Sequence, residues 1–152
     1  MKVVRMISPC NLKPPTYETW VRSVYNYINI LPGDVLHIVI DTYPAALDLS
    51  QPTKVRYKTS GQRIFISDLS QKLPITQDAW NDFLSNDQNK HDITNLMIKY
   101  ILDGLYLFNR PVYVTNGEKC ILVQAGSLID VSDLHSKHKE ADPRLALHAI
   151  YA

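Results

Sequence analysis

Apolar residues recur along the chain with two different periods, and these periods predict alternating helices and strands. Over residues 16–31 they return every three or four positions, which indicates an amphipathic helix with Thr16 as its N-cap and Pro32-Gly33 as its stop. The next run, 35–40, is short, almost continuously apolar and rich in β-branched residues. Such a run is typical of a strand that is buried on both faces of a parallel sheet.

The second half of the chain predicts further helices and a hairpin. Residues 76–84 begin with a threonine suited to an N-cap, and an apolar stripe predicts a longer helix from about 89 or 90 to 107. Residues 111–123 have the pattern of strand, turn and strand, with Asn116-Gly117 favouring a type I′ turn. Because proline is tolerated only in the first turn of a helix, the last helix is expected to begin a residue or two before Pro143.

This order of elements predicts one α/β domain over residues 1–152. The expected architecture is a three-layer, Rossmann-like fold with a mainly parallel central sheet. Residues 35–40 would form an interior strand, and helices would cover both faces. The polar stretch 44–59 is expected to be irregular, and 62–66 is left open between an edge strand and a loop.

Composition and charge exclude several classes of protein. Hydrophobic residues make up 45% and charged residues 20%, which argues against a disordered chain or a coiled coil. Lys and Arg number 16 against 15 Asp and Glu, so any contact with nucleic acid must be local. Cys10 and Cys120 lack the spacing of a zinc site or disulfide framework. Without a long apolar stretch, we expect a cytoplasmic or nuclear protein that does not contact a membrane.

Three acidic residues stand where chemistry is expected. Asp41 follows the apolar run 35–40, so it would lie at the carboxyl end of a central strand, where α/β sheets build ligand sites. Equally, it could close the strand and bind the next turn. Glu140 and Asp142 lie at a helix start, where carboxylates also cap free N–H groups. Each acid alone therefore has both a structural and a functional interpretation.

Convergence of Asp41, Glu140 and Asp142 would change this balance. Clustered carboxylates repel one another unless a divalent cation compensates their charge. Oxygen ligands without His or Cys suit hard cations, so Mg²⁺ or Mn²⁺ would be the expected cofactor. Such sites activate water and stabilise the charge of a phosphoryl transition state.

Three patterns, two of which contain these acids, together resemble a known family. The patterns are Asp-x-Tyr from Asp41, Trp-x-x-Phe-Leu-x-x-Asp-x-Asn-Lys from Trp80, and Glu-Ala-Asp-x-Arg-Leu-x-Leu-His-Ala from Glu140. In this order they resemble the PIN-like domains of large metazoan, often transposon-associated proteins, from about Pro14 onwards. The resemblance implies a metal-dependent nuclease of the PIN and flap-endonuclease kind, with Asp41 as the first metal and catalytic ligand and Glu140 and Asp142 as the next.

The chain also departs from the family pattern. The Ser-Ile-Lys usual after the first acid is missing from the corresponding residues 46–50, and Pro143 replaces a threonine. The family continues into an apolar strand ending in Asp-x-Asp, whereas this chain stops at Ala152. The expectation is therefore a C-terminally truncated domain without its final strand or strands. It would be at best a weak nuclease, with an exposed sheet edge able to pair with another chain. The alternative is a non-catalytic interaction or scaffold module that keeps the fold.

Basic residues supply the candidate contacts to nucleic acid, with ordinary surface or loop positions as the alternative. The candidates are Lys54, Arg56, Lys58, Arg63, Lys90 and Arg144. His135, His138 and His148 lie near the acids, but their spacing is not that of a zinc site. His37 is interpreted as structural.

Overall fold

The structure, a computed structural model, describes residues 9–41, 61–74, 76–104, 108–138 and 140–151. The chain divides into two compact units. The first unit comprises residues 1–28 and 44–95, and the second comprises 29–43 and 96–152. The predicted irregular stretch 44–59 lies outside the described residues.

Three helices have most of their length in the first unit or begin there, and all three were predicted. They are α1 (Tyr17–Asn29), α2 (Gln77–Ser85) and α3 (Asp87–Leu102), the last of which continues into the second unit. The Thr76 hydroxyl caps α2 by accepting a hydrogen bond from Ala79 N at 3.2 Å. Helix α3 ends at Leu102, earlier than predicted, and Gly104 in the turn after it has φ +70°; residues 105–107 lie outside the described residues.

Helix α3 begins earlier than the apolar stripe predicted, because Asn86 caps it. Asn86 Oδ1 accepts hydrogen bonds from the backbone N–H groups of Gln88 at 3.0 Å and Asn89 at 3.4 Å. An asparagine at this position satisfies N–H groups that have no partner inside the helix. The cap separates α3 from the end of α2.

Aromatic side chains form the core of the first unit. Trp20 of α1 lies 6.0 Å from Trp80 of α2 between ring centroids, and Trp80 stacks on Phe83 at 5.2 Å. All three are almost fully buried. Burial of side chains of this size contributes about 1.5–3 kcal/mol each to the free energy of unfolding. The helical periodicity seen in the sequence therefore marks this core correctly.

Buried Asn89 connects this helical core to the segment that the sequence left open. Its Nδ2 donates to Gln62 O at 2.8 Å and to Phe83 O at 3.0 Å, and its Oδ1 accepts from Ile64 N at 3.0 Å. The segment 62–66 has no strand assignment. The Asn89 side chain makes hydrogen bonds to the backbone of Gln62 and Ile64, which a neighbouring strand would make if this segment were an edge strand.

The second unit contains a four-stranded sheet with the order β1-β2-β3-β4. Its strands are β1 (Leu36–Ile38), β2 (Val112–Asn116), β3 (Lys119–Gln124) and β4 (Ser127–Asp130). Strands β1 and β2 pair in parallel, and the pairings β2–β3 and β3–β4 are antiparallel. The protein is thus mixed α/β, as expected, and β4 is a strand that the sequence analysis missed.

Two features of the sheet differ from the prediction. Two of the three pairings among the described strands are antiparallel, so these residues do not form the mainly parallel sheet that was predicted. Strand β1 is the edge of that four-stranded sheet, rather than interior, and its residues are half-buried. The ladder of β1 is short because the Thr115 side chain, rather than a backbone carbonyl, accepts the hydrogen bond from Ile40 N at 2.9 Å.

Two tight turns explain the antiparallel part of the sheet. The predicted hairpin is present, but Asn116 pairs with Lys119, so the turn residues are Gly117 and Glu118. Gly117 has φ +60° but Glu118 does not have a positive φ, so the turn fits type II′ and not the predicted type I′, which requires a positive φ at both positions. The next turn contains Gly126 with φ +80°. Both turns give the strands the twist that antiparallel pairing needs.

Helix α4 (Ala141–Tyr151) closes the described chain and begins where Pro143 predicted. The proline stands in the first helical turn, where its missing N–H has no partner to lose. A 3₁₀ turn at Ser132–Leu134 lies between β4 and this helix. Buried side chains of this unit include Val112, Val114, Cys120 and Leu134.

Candidate functional site

The candidate site lies where the chain leaves β1 and where α4 begins. The Asp41 carboxylate accepts a hydrogen bond from the Ala141 backbone N–H, with 2.6 Å between Oδ1 and N. Ala141 lies between Glu140 and Asp142, so the structure brings the predicted first acid beside the segment that carries the other two. All three acids are exposed to solvent.

Asp41 also has a structural role at this position. The first N–H groups of a helix have no intrahelical partner, and the positive end of the helix dipole favours a carboxylate. Asp41 supplies that carboxylate to α4 from a different element. The helix-capping role considered for Glu140 and Asp142 is thus performed, at Ala141, by Asp41.

Arg144 is buried directly behind this helix start. Its guanidinium donates to the carbonyl oxygens of His138 and Gly117, each at 2.6 Å, and to those of Ser136 at 3.3 Å and Ile40 at 3.4 Å. Its side chain connects α4 to the loop before it, to the β2–β3 turn and to the residue before Asp41. Burial lowers the pKa of Arg144, while the negative charges of Asp41 and Glu118 oppose that shift.

A histidine pair connects the same two elements. The Nδ1 atoms of His37 in β1 and His148 in α4 lie 2.7 Å apart, which is hydrogen-bonding distance. His148 is buried, and its Nε2 has no hydrogen-bond partner in the described part of the chain. Burial lowers the pKa of His148 to about 4, and the charges of His37 and Arg144 act in the same direction. Burial also lowers the pKa of His37.

The basic residues predicted to contact nucleic acid lie in different environments. Arg63 forms an ion pair with Asp92 at 2.7 Å, and Lys90 forms one with Asp87 at 2.8 Å. Arg144 is buried, and all three of its guanidinium nitrogens donate to carbonyl groups. The predicted phosphate contact does not fit this placement of Arg144. The remaining candidates, Lys54, Arg56 and Lys58, lie outside the described residues.

The acids fit a hard cation in chemistry, but they do not form a closed site. Carboxylate oxygens are the ligands that Mg²⁺ and Mn²⁺ prefer. One oxygen of Asp41 is already used by the Ala141 N–H. In the described ranges, no three His, Cys, Asp or Glu side chains are grouped closely enough to hold a metal ion. The Mg or Mn site therefore stays a prediction.

Sequence reasoning missed the two features that hold this region together. Arg144 looks like a surface cation in the sequence, because two of its carbonyl partners, Gly117 O and Ile40 O, come from distant segments. His37 and His148 were interpreted without reference to each other, since the sequence does not show that β1 and α4 are neighbours. One signal was present: both histidines stand inside otherwise apolar runs, at 35–40 and 145–151.

Comparisons of the chain with protein-family models, with curated proteins and with solved structures found no match. Its function must therefore be argued from its own residues. None of the helices in the described ranges combines the length and apolar character that crossing a membrane requires.

Proposed function

We propose that the chain is a metal-dependent phosphodiesterase domain of the PIN-like type, acting on nucleic acid through an acidic site at Asp41, Glu140 and Asp142. The observation that carries the proposal is the hydrogen bond from Ala141 N–H to the Asp41 carboxylate. It joins the end of β1 to the start of α4, and these are the two positions from which the resemblance draws its acids. The proposal includes a three-layer, Rossmann-like arrangement around the sheet.

The proposed roles of the residues follow from their positions. Asp41 uses one carboxylate oxygen to hold the α4 N-terminus, and its side chain is exposed to solvent. Glu140 and Asp142 add exposed carboxylates on either side of the anchored peptide. A bound Mg²⁺ or Mn²⁺ would supply Lewis acidity and an activated water. Lys54, Arg56 and Lys58 supply the positive charge proposed to hold a phosphate backbone.

A second candidate function is a non-catalytic interaction module that keeps the same fold. It is favoured by the use of the Asp41 carboxylate as a helix cap. Strand β4 is the other edge of the four-stranded sheet, and it exposes Leu128 and Ile129. An exposed edge strand can pair with a strand of another chain.

Binding of Mn²⁺ and cleavage of nucleic acid distinguish these functions. We would measure Mn²⁺ binding by electron paramagnetic resonance and Mn²⁺-dependent cleavage of single-stranded and branched DNA and RNA. The variants are Asp41→Asn and Asp142→Asn, and the control is Asp133→Asn, which removes an exposed carboxylate of the same unit outside the site. The nuclease proposal expects binding and cleavage that both site variants lose and the control keeps.

Other outcomes decide against the nuclease. Absence of both Mn²⁺ binding and cleavage in the unaltered chain would favour the interaction module. Cleavage that all three variants retain would place the activity elsewhere or in a contaminant.

A further inference from the structure

The contact between His37 and His148 accommodates a limited number of protons. Two Nδ1 atoms at 2.7 Å need one donor and one acceptor, so a single proton lies between them. With both Nδ1 atoms protonated, two N–H groups would face each other and the contact would break. The contact therefore requires a proton on one Nδ1 atom only, in the neutral or the singly charged pair, and it is incompatible with protonation of both rings.

Among the described residues, the charges that act on His148 oppose a second positive charge. His37 stacks on Tyr113 of β2 at 4.6 Å, and Tyr113 contacts Tyr151 of α4 at 5.8 Å, both measured between ring centroids. The charges that act on His148 are those of His37 and Arg144, and both are positive. A doubly protonated pair would have to separate to reach solvent.

The position of the pair connects it to the acidic site. His37 belongs to the strand that leads to Asp41, and His148 belongs to the helix whose first residue, Ala141, is bound by Asp41. Over the part of the chain that the structure describes, three side-chain contacts join β1 and its extension to α4: the histidine pair, the Arg144 guanidinium on Ile40 O, and the carboxylate on the helix N-terminus. Loss of the histidine contact removes one of the three and so weakens the hold on the helix start.

We propose that His37 and His148 are positioning residues for the acidic site, because the proton between their Nδ1 atoms holds α4 beside β1, and protonation of both rings from solvent breaks this contact and weakens the hydrogen bond between Asp41 and Ala141. The consequence for cleavage rests on the proposed function. The structural part does not, since it concerns only the two elements that carry the acids.

The test follows hydrogen exchange at the Ala141 amide by NMR, with no substrate or metal present. Protection of this amide, corrected for the intrinsic pH dependence of exchange, is expected to fall by at least roughly ten-fold between pH 7 and pH 4.5, about the effect of one pKa unit. The ring-carbon signals of His37 and His148 are expected to change over the same pH range. Carboxylates titrate in every variant, so the contribution of the pair is the difference between variants.

Three variants make the result specific. The double variant His37→Phe/His148→Leu keeps apolar volume and removes the titration, so its Ala141 protection should change with pH by less than about two-fold. The single variant His37→Gln keeps a hydrogen-bonding partner for His148, but the glutamine side chain cannot become charged. In this variant the Ala141 amide should stay protected to lower pH than in the unaltered chain. The control His135→Gln removes a histidine that pairs with Asp130 instead, and it should behave as the unaltered chain.

Equal loss of Ala141 protection in the unaltered chain and in the double variant would overturn the proposal. The proposal would also be overturned if the protection of the Ala141 amide did not change with pH while the ring signals of His37 and His148 did. Because exchange is measured without cleavage, a chain with no nuclease activity still tests the histidine pair, and failure here leaves the nuclease proposal intact.

Discussion

Replacement of Arg144 by methionine is expected to destabilise the second unit more than any exposed substitution in it. The guanidinium makes two short hydrogen bonds, to His138 O and Gly117 O at 2.6 Å. Hydrogen bonds to a charged group contribute about 1.5–3 kcal/mol each, and the two longer bonds contribute less. Methionine fills similar space but leaves these carbonyls without a donor. We expect the free energy of unfolding to fall by about 3–5 kcal/mol.

Cys120 supplies an assay for this loss. Its thiol is completely buried, and burial raises its pKa to about 11, so it reacts with a disulfide reagent only after the surrounding structure opens. In a Cys10→Ser background the rate of Cys120 labelling reports the open population. Since every 1.4 kcal/mol is a factor of ten, Arg144→Met should accelerate labelling by roughly a hundred-fold or more.

The control for this measurement lies in the same sheet. Lys119→Met also replaces a cation by methionine, but Lys119 is exposed, and such surface changes stay within about 0.5 kcal/mol. Arg144→Lys keeps the charge without the fork of donors and is expected to give an intermediate rate. If Arg144→Met and Lys119→Met accelerate labelling equally, the four carbonyl contacts do not contribute as the structure suggests.

Three further predictions concern other parts of the molecule. A Cβ at Gly61 would lie 1.9 Å from Asp82 O, whereas one at Gly104 would meet no atom within 4 Å. Gly61→Ala should therefore lower the free energy of unfolding by about 3 kcal/mol or more. Gly104→Ala should lower it by only about 1 kcal/mol, because the sole penalty is the strain of a φ of +70°. Urea denaturation followed by tryptophan fluorescence compares the two variants, and equal losses would contradict the steric argument. Asp41→Ala should lower the free energy of unfolding by about 0.5–2 kcal/mol, because α4 loses its cap. Asp41→Asn should lower it less, because the amide oxygen still accepts the hydrogen bond. Equal losses for the two variants in urea denaturation would refute this expectation. Because burial lowers the pKa of His148 to about 4, the unfolded chain binds this proton first as the pH falls below 6.5. The contribution of His148 to the free energy of unfolding should be complete above pH 6.5 and fall by up to about 3 kcal/mol towards pH 4, as measured by urea denaturation across that range. If the free energy of unfolding of His148→Leu falls with pH as steeply as that of the unaltered chain, the prediction is wrong.

The elements that the sequence predicted correctly are those that local physics determines. Helices α1, α2 and α4 follow from apolar periodicity, from the Thr76 cap and from the position of Pro143. The hairpin between β2 and β3 follows from a glycine at a turn. In each case the information lies within a few neighbouring residues, so no tertiary contact is needed to read it.

The predictions that differ from the structure depend on distant segments. The apolar run 35–40 resembles a central strand, yet β1 is half-buried and lies at the edge of the described sheet. An apolar run reports that a segment avoids water, but not which neighbours cover it. Strand β4 was missed because its residues are exposed and show no burial pattern.

The positions of the three acids on the fold were predicted in part, but their role in binding a ligand stays a prediction. The rule that ligands bind at the carboxyl ends of strands drew attention to Asp41. The structure then brings Asp41 to the peptide that joins Glu140 to Asp142. Sequence patterns place residues on elements, but the burial of Arg144 and the pairing of His37 with His148 arise only when those elements pack together.

The contact between Asp41 and Ala141 spans 100 positions of the chain, whereas strands β2, β3 and β4 follow one another directly. Closing a long loop costs entropy before any contact repays it, so the meander should fold before α4 reaches β1. During synthesis at about 5–20 residues per second, β1 leaves the ribosome roughly 5–20 s before the helix that completes its surroundings. For that interval the contacts that α4 makes with β1 are missing, so a chaperone or a neighbouring nascent chain can occupy that side of the strand.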